Sequence, residues 1–335
     1  MTTVALYAVV GIALVFDFVN GFHDAANSIA TVVATRVLKP WQAVVWAAFW
    51  NFAAFLLIPL TVANEIAKIV DPSTVSVGLI FAGLIGAIFW NVLTAYLGLP
   101  SSSSHALIGG VVGAGIAKSG GHVVDLDQLR KTAVFIFYSP LIGLALGFVL
   151  IVGVMWTVHR FRARRRVNRT FRSLQLVSAA AFSLGHGAND AQKTMGIIAA
   201  LLIGAGRLHP GAIDDPEGIP LWVVLSCHGA IALGTMLGGW RIVRTMGTKL
   251  TRLQPMGGVC AESAAAATLF FASYQGIPVS TTHTITGAIV GVGSAERLSA
   301  VRWNVARRVV WAWVLTIPGS AVVAMITYWI VAALS

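Results

Sequence analysis

The sequence predicts an all-α polytopic membrane protein built from two inverted-topology repeats, with broken helices and short or re-entrant segments tipped by Pro and Ser. Three observations carry that prediction. The chain is 57% hydrophobic and only 10% charged, with a mean hydropathy of +0.82, whereas soluble domains carry about 25% charged residues. Apolar runs such as 75–95, 135–158 and 309–334 recur along its length, and about 20 apolar residues cross a ~30 Å hydrocarbon core. Two polar motifs occur twice, once in each half and in the same order. A soluble protein with large buried helices does not fit so few charges.

The first span, 4–35, has no Lys or Arg before Arg36 and no evident cleavage site, so it reads as an uncleaved membrane segment and not as a secretory signal. Polar residues in "FDFVNGFHDAANSIA" (16–30) interrupt it midway. Spans at 41–63 and 75–97 follow. "PSSSSH" (100–105) then opens a segment, 104–118, that is too short for the core at 1.5 Å per residue. A span at 132–158 closes the first repeat, 1–158. The linker, 159–173, contains "HRFRARRRVNRTFR" with seven arginines, and basic residues at the ends of apolar segments mark cytoplasmic loops. The second repeat, 174–335, crosses at 174–206, 219–240, 256–275, 283–295 and 309–334. Basic stretches at 241–252 and 297–308 join the cytoplasmic side, and the acidic loop 207–217, with Asp214, Asp215 and Glu217, lies outside. Five crossings per half is an odd number, so the second half is inverted and both termini lie outside. The formal charge of +11 belongs to these loops and needs no nucleic acid. Tryptophans such as Trp41, Trp303 and Trp311 form an interfacial belt. Cys227 and Cys260 lack metal-ligand spacing and act as small hydrophobes.

The repeats align residue by residue. Phe16, Gly21, Asp24 and Ala25 match Phe182, Gly187, Asp190 and Ala191. "GLPSSSSHALIGGVVGAG" (98–115) matches "GIPVSTTHTITGAIVGVG" (276–293) at Gly, Pro, Ser, His and three further glycines. Short and broken apolar segments at matching places in two halves point to a transporter's central site.

The chemistry divides in two. An ionisable residue inside the membrane costs several kcal/mol and marks function; Asp24 and Asp190 are the paired cases, flanked by Asn20, Asn27 and Asn189. Their carboxylate and amide oxygens suit a hard cation such as Na+, and a carboxylate can equally carry a proton. Glu262 is a further intramembrane carboxylate with a cation, proton or helix-pairing role. At the two tips, Pro100 and Pro278 precede Ser102, Ser103 and Ser104, and Ser280, Thr281 and Thr282. Free N–H groups and hydroxyls at a helix's first turn make an anion site, and a tetrahedral oxyanion fits between two of them. Lys193 is placed to neutralise Asp190 or touch the anion. His105 and His283 are read first as structural donors. The downstream glycines, Gly109, Gly113 and Gly115 with Gly287, Gly291 and Gly293, allow close helix packing.

These motifs, GFHDAANSIATVVATR, WNVLTAYLGLPSSSSHALIGG, HGANDAQKTMGII and GIPVSTTHTITGAIVGVG, closely resemble those of the inorganic phosphate transporter (PiT) family, over nearly the whole chain. The resemblance implies a compact bacterial-type, cation-coupled secondary transporter of phosphate at the cell membrane, not an enzyme, with no bound cofactor and a homodimeric assembly. It assigns Asp24, Asn27, Asn189 and Asp190 and the two hydroxyl tips to cation and phosphate binding. His23 stands where the second motif has Asn189, so Na+ and H+ both stay open as coupling ions. Free phosphate and a divalent-metal complex stay open as the transported species. The rivals are a sulfate or other oxyanion permease of the same architecture, a channel, and an intramembrane hydrolase using a tip serine with His105. An inverted duplication serves alternating access and has no evident use in a hydrolase.

Overall fold

The computed structural model describes residues 3–57, 63, 75–159, 164–213, 215, 218–277 and 279–334. Among them are eleven helices and no strand: α1 (Thr3–Ala34), α2 (Pro40–Ala53), α3 (Val77–Leu97), α4 (Ser103–Ser119), α5 (Leu126–Val158), α6 (Arg164–Gly204), α7 (Leu221–Leu237), α8 (Trp240–Arg244), α9 (Pro255–Tyr274), α10 (Thr281–Glu296) and α11 (Trp303–Leu334). Five are long and apolar enough to cross a membrane: α1, α3, the Ala133–Val158 part of α5, α9 and α11. Taken together, α7 and its continuation through α8 to Leu250, bent by 61°, form a broken span or a re-entrant loop. The protein is thus a multi-pass, all-helical membrane protein. The expected spans and loops at 58–62, 160–163, Asp214 and Glu217, and the second tip's Pro278, lie outside the described residues.

Corresponding helices of the two halves make corresponding contacts. α1 packs on α3 as α6 packs on α9, and α1 packs on α7 as α6 packs on α2. Each tip helix lies against the last helix of the other half, α4 on α11 and α10 on α5. Glycine makes these crossings close: a Cβ on Gly287 would sit 2.1 Å from the Pro140 carbonyl oxygen, and one on Gly109 would sit 2.4 Å from that of Ile317. Small residues that let backbones approach are the usual device where lipid removes the hydrophobic drive between helices. The chain reaches both tips through a left-handed glycine, Gly98 and Gly276, each at φ 67°.

Three expectations change. The polar stretches do not break α1 or α6, which run unbroken for 32 and 41 residues. Side chains such as Asp24, Asn27, Asp190 and Lys193 find partners on neighbouring elements while the backbone ladder stays closed. Most of the basic linker is helical, because Arg164–Arg172 form the first turns of α6, and arginine is a good helix former. The stretch 241–252 is also mainly helical, with α8 leading into a π-helical turn, Thr245–Leu250. α4 and α10 are short as expected, at 17 and 16 residues. Large apolar side chains on α5 and α11, among them Phe137, Val149, Trp311 and Trp329, face outward; that is where acyl chains belong.

Candidate functional site

Two tip helices and two polar-centred helices meet at the middle of the protein. The N-terminus of α4 is capped by Ser102, whose hydroxyl accepts from the His105 backbone N–H at 3.3 Å. Ser280 does the same for α10 through the His283 N–H, at 3.2 Å. Ser and Thr are strong N-caps because they satisfy one orphan donor. Each cap uses its hydroxyl oxygen as an acceptor and keeps its own O–H, and the first-turn hydroxyls of Ser103, Ser104, Thr281 and Thr282 follow it at the tip. The two turns face each other closely enough that the His105 and His283 rings meet edge-on, with centroids 4.6 Å apart. His283 is also stacked on Trp313, at 3.9 Å, and the Trp313 indole donates to the Pro100 carbonyl at 2.9 Å.

α1 and α6 bring their carboxylates to these turns in matching ways. Ser103 donates to Asp24 Oδ2 at 2.9 Å, and its repeat equivalent Thr281 donates to Asp190 Oδ2 at 3.2 Å. The next hydroxyl on each tip crosses to the other half. Thr282 accepts from Asn27 Nδ2 at 2.9 Å and donates to Asp24 Oδ1 at 3.4 Å, while Ser104 accepts from Lys193 Nζ at 2.5 Å. Asn27 and Lys193 occupy equivalent positions in the aligned repeats. All of these side chains are buried, Lys193 included at 2% exposure. Four residues from each half therefore converge: Asp24, Asn27, Ser103 and Ser104 with Asp190, Lys193, Thr281 and Thr282.

Each carboxylate has a basic neighbour. His23 Nδ1 lies 2.6 Å from Asp24 Oδ1, and the ring's Nε2 lies 3.1 Å from Thr94 Oγ1 and 3.3 Å from Ser101 Oγ. Lys193 Nζ lies 2.6 Å from Asp190 Oδ1 and also donates to the Val279 carbonyl at 3.1 Å. His186 Nε2 lies 3.2 Å from Asp190 Oδ2, and its Nδ1 lies 3.1 Å from Asn51 Oδ1. Asp24, His186 and Asp190 each offer one ligand atom within 4.8 Å of the others. A hard cation there would have carboxylate oxygens from both halves.

Two expected residues stand apart. Asn189 points to Ser273, donating at 3.3 Å, because one step along a helix from Asp190 turns its side chain toward α9. Glu262 belongs to a separate cluster: it accepts from Thr31, from Gln175 at 3.1 Å and from Ser178 at 2.5 Å. Through those donors Glu262 joins α9 to α1 and α6. Sequence reasoning missed His186 and Asn51. Neither has a like partner in the other repeat, so the duplication carried no signal for them. The hydrolase rival, which needs a tip serine on His105, loses that geometry: Ser103 and Ser104 bond to Asp24 and Lys193, and His105 faces His283.

Residues 20–167 and 157–324 each match the phosphate transporter family. A Rhizobium meliloti protein described as a probable low-affinity inorganic phosphate transporter is 56% identical over 324 residues, 96% of this chain and 95% of its own. A Bacillus subtilis protein of the same description is 44% identical over 95% of this chain and 94% of its own. A solved structure described as the sodium-dependent phosphate transporter superposes with a TM-score of 0.89 at 25% identity, over 99% of this chain and 100% of that one.

Proposed function

The chain belongs to the phosphate transporter family, and from that premise we propose that it is a cation-coupled symporter that takes up inorganic phosphate by alternating access. The observation that carries the reading is the paired contact of Ser103 with Asp24 and of Thr281 with Asp190. It puts an anion-binding helix turn directly against a carboxylate in each half.

A phosphate dianion brought to this point meets the free N–H groups and positive ends of α4 and α10, the hydroxyls of Ser103, Ser104, Thr281 and Thr282, and Lys193. It also meets Asp24 and Asp190, which repel it. A cation bound at the carboxylates removes that repulsion, so each ligand favours the other's binding; coupling of this kind is reciprocal. Neither alone is stable at the midplane, and that is the condition for symport. The family's solved relative is named for sodium dependence, which supports Na+ as one coupling ion, while the ring of His23 against Asp24 supports proton coupling. The compact Asp24–His186–Asp190 group supports a second form of cargo, a phosphate travelling with a divalent cation. Inversion of the second half, with both termini outside and the arginines cytoplasmic, is part of the proposal. The matched helix contacts support it.

The reading is tested with reconstituted vesicles and labelled phosphate. Asp24→Asn and Asp190→Asn should each lose concentrative uptake while remaining folded in detergent. Full uptake in both variants overturns it. Sulfate that competes fully, with no phosphate accumulation, would favour the sulfate permease instead.

A further inference from the structure

α1 carries another buried carboxylate, which the site above does not use. Asp17 is wholly buried, and neither of its oxygens has a partner at full hydrogen-bond geometry; its nearest donors are the neutral groups of Thr194, Cys227 and Asn20. The other intramembrane carboxylates differ. Asp24 has His23 and Ser103, Asp190 has Lys193, His186 and Thr281, and Glu262 has three neutral donors. An ionised carboxylate left this bare is far costlier than a neutral one.

Its surroundings explain what it can hold. Thr194 and Asp190 face it from α6, Cys227 faces it from α7, and Asn20 faces it from its own helix. Of these, Asn20 Oδ1 and Thr194 Oγ1 are themselves buried without partners. α2 has no ionisable residue and α3 has only Tyr96, exposed at its far end. Among the described residues, the formal charge facing Asp17 is thus the like charge of Asp190, whose Lys193 points to the tips while its His186 bonds Asn51. A buried carboxylate held only by neutral groups, with no fixed cation among the described residues, calls for a mobile one. A proton fits best, since it turns one Asp17 oxygen into a donor for Asn20 Oδ1 or Thr194 Oγ1, and the thiol of Cys227 is a poor ligand for a hard ion.

We propose that Asp17, with Asn20, Thr194 and Cys227, is a second coupling site, one that binds a proton two helical turns from Asp24. Because Asp190 faces both Asp17 and the tip of α10, a change of charge at Asp190 when cargo binds alters how readily Asp17 keeps its proton. The inference rests on the symport reading and adds a second carrier to it.

The test is the accumulation ratio of labelled phosphate in reconstituted vesicles under pH gradients of increasing size, without Na+. Each proton carried is worth a factor of about ten in limiting accumulation per pH unit. Asp17→Asn should lower that limit about tenfold per unit relative to wild type, and Asp17→Glu should restore it. Equal slopes in wild type and Asp17→Asn overturn the inference, as does a wild-type accumulation limit that does not rise with the pH gradient. If Asp17→Asn fails to accumulate at all, infrared difference spectra of purified protein decide. The protonated carboxyl band should vanish in Asp17→Asn and persist in Asp24→Asn; its persistence in Asp17→Asn overturns the proposal. A wild type that accumulates no phosphate under any gradient refutes the symport reading separately.

Discussion

Lys193→Met is the substitution whose cost the structure states most directly. The ammonium is 2% exposed and donates to Asp190 Oδ1 at 2.6 Å, Ser104 Oγ at 2.5 Å and the Val279 carbonyl at 3.1 Å. Methionine matches the aliphatic stem in volume, so little of the loss is a cavity. What remains is an Asp190 carboxylate stripped of its cation in a low-dielectric interior, with His186 as its other basic neighbour among the described residues. Removing one partner of a buried pair costs about 3–5 kcal/mol, most of it from the charge left behind. Removing both partners avoids that charge. Lys193→Met should therefore lose about 3–5 kcal/mol in unfolding by denaturant in micelles, followed by tryptophan fluorescence. The double variant Asp190→Asn/Lys193→Met should regain most of it, although neither should concentrate phosphate. A single variant within about 1 kcal/mol of wild type, or a double variant less stable than the single, would refute the reasoning: either result means that the pair is not desolvated as a unit.

Gly287→Ala would press a methyl carbon to 2.1 Å from the Pro140 carbonyl oxygen, whereas Gly153, also in α5, has nothing within 4 Å; the first should lower the melting temperature sharply or abolish expression, and the second should leave it unchanged or raised. Ser280→Ala removes the N-cap of α10 and should cost about 1 kcal/mol while weakening phosphate binding less than Thr281→Ala, a comparison isothermal titration can make. Asn51→Leu removes the amide that holds His186 Nδ1 at 3.1 Å and Thr235 at 3.0 Å; uptake should fall while Asp24-dependent binding of phosphate persists in equilibrium dialysis.

What could be read from the residues is what the chain states twice. Asp24 with Asp190, and the tips at Ser103–Ser104 with Thr281–Thr282, were legible because duplication separates a functional polar group from an incidental one. Helix continuity was not legible. A run such as Asn20–Ser28 resembles a break until its neighbours are known, and Thr94, Ser101 and Thr282 come from distant parts of the sequence. Residues present once were hidden for a related reason. His186 aligns with Asn20, Asp17 aligns with Ser183, and Glu262 aligns with an apolar position, so only the folded arrangement shows what each faces. Glu262 was visible as a charge in an apolar segment, yet its three donors lie on α1 and α6, too scattered for any spacing rule.

The central claim is that the carboxylate of each half couples a cation to an anion held by the tip turns. Labelled phosphate uptake into reconstituted vesicles, with Na+ and pH gradients imposed separately, tests it most directly. The account predicts accumulation above equilibrium in wild type under at least one gradient, and its loss in both Asp24→Asn and Asp190→Asn. Accumulation in either variant equal to that of wild type would contradict it.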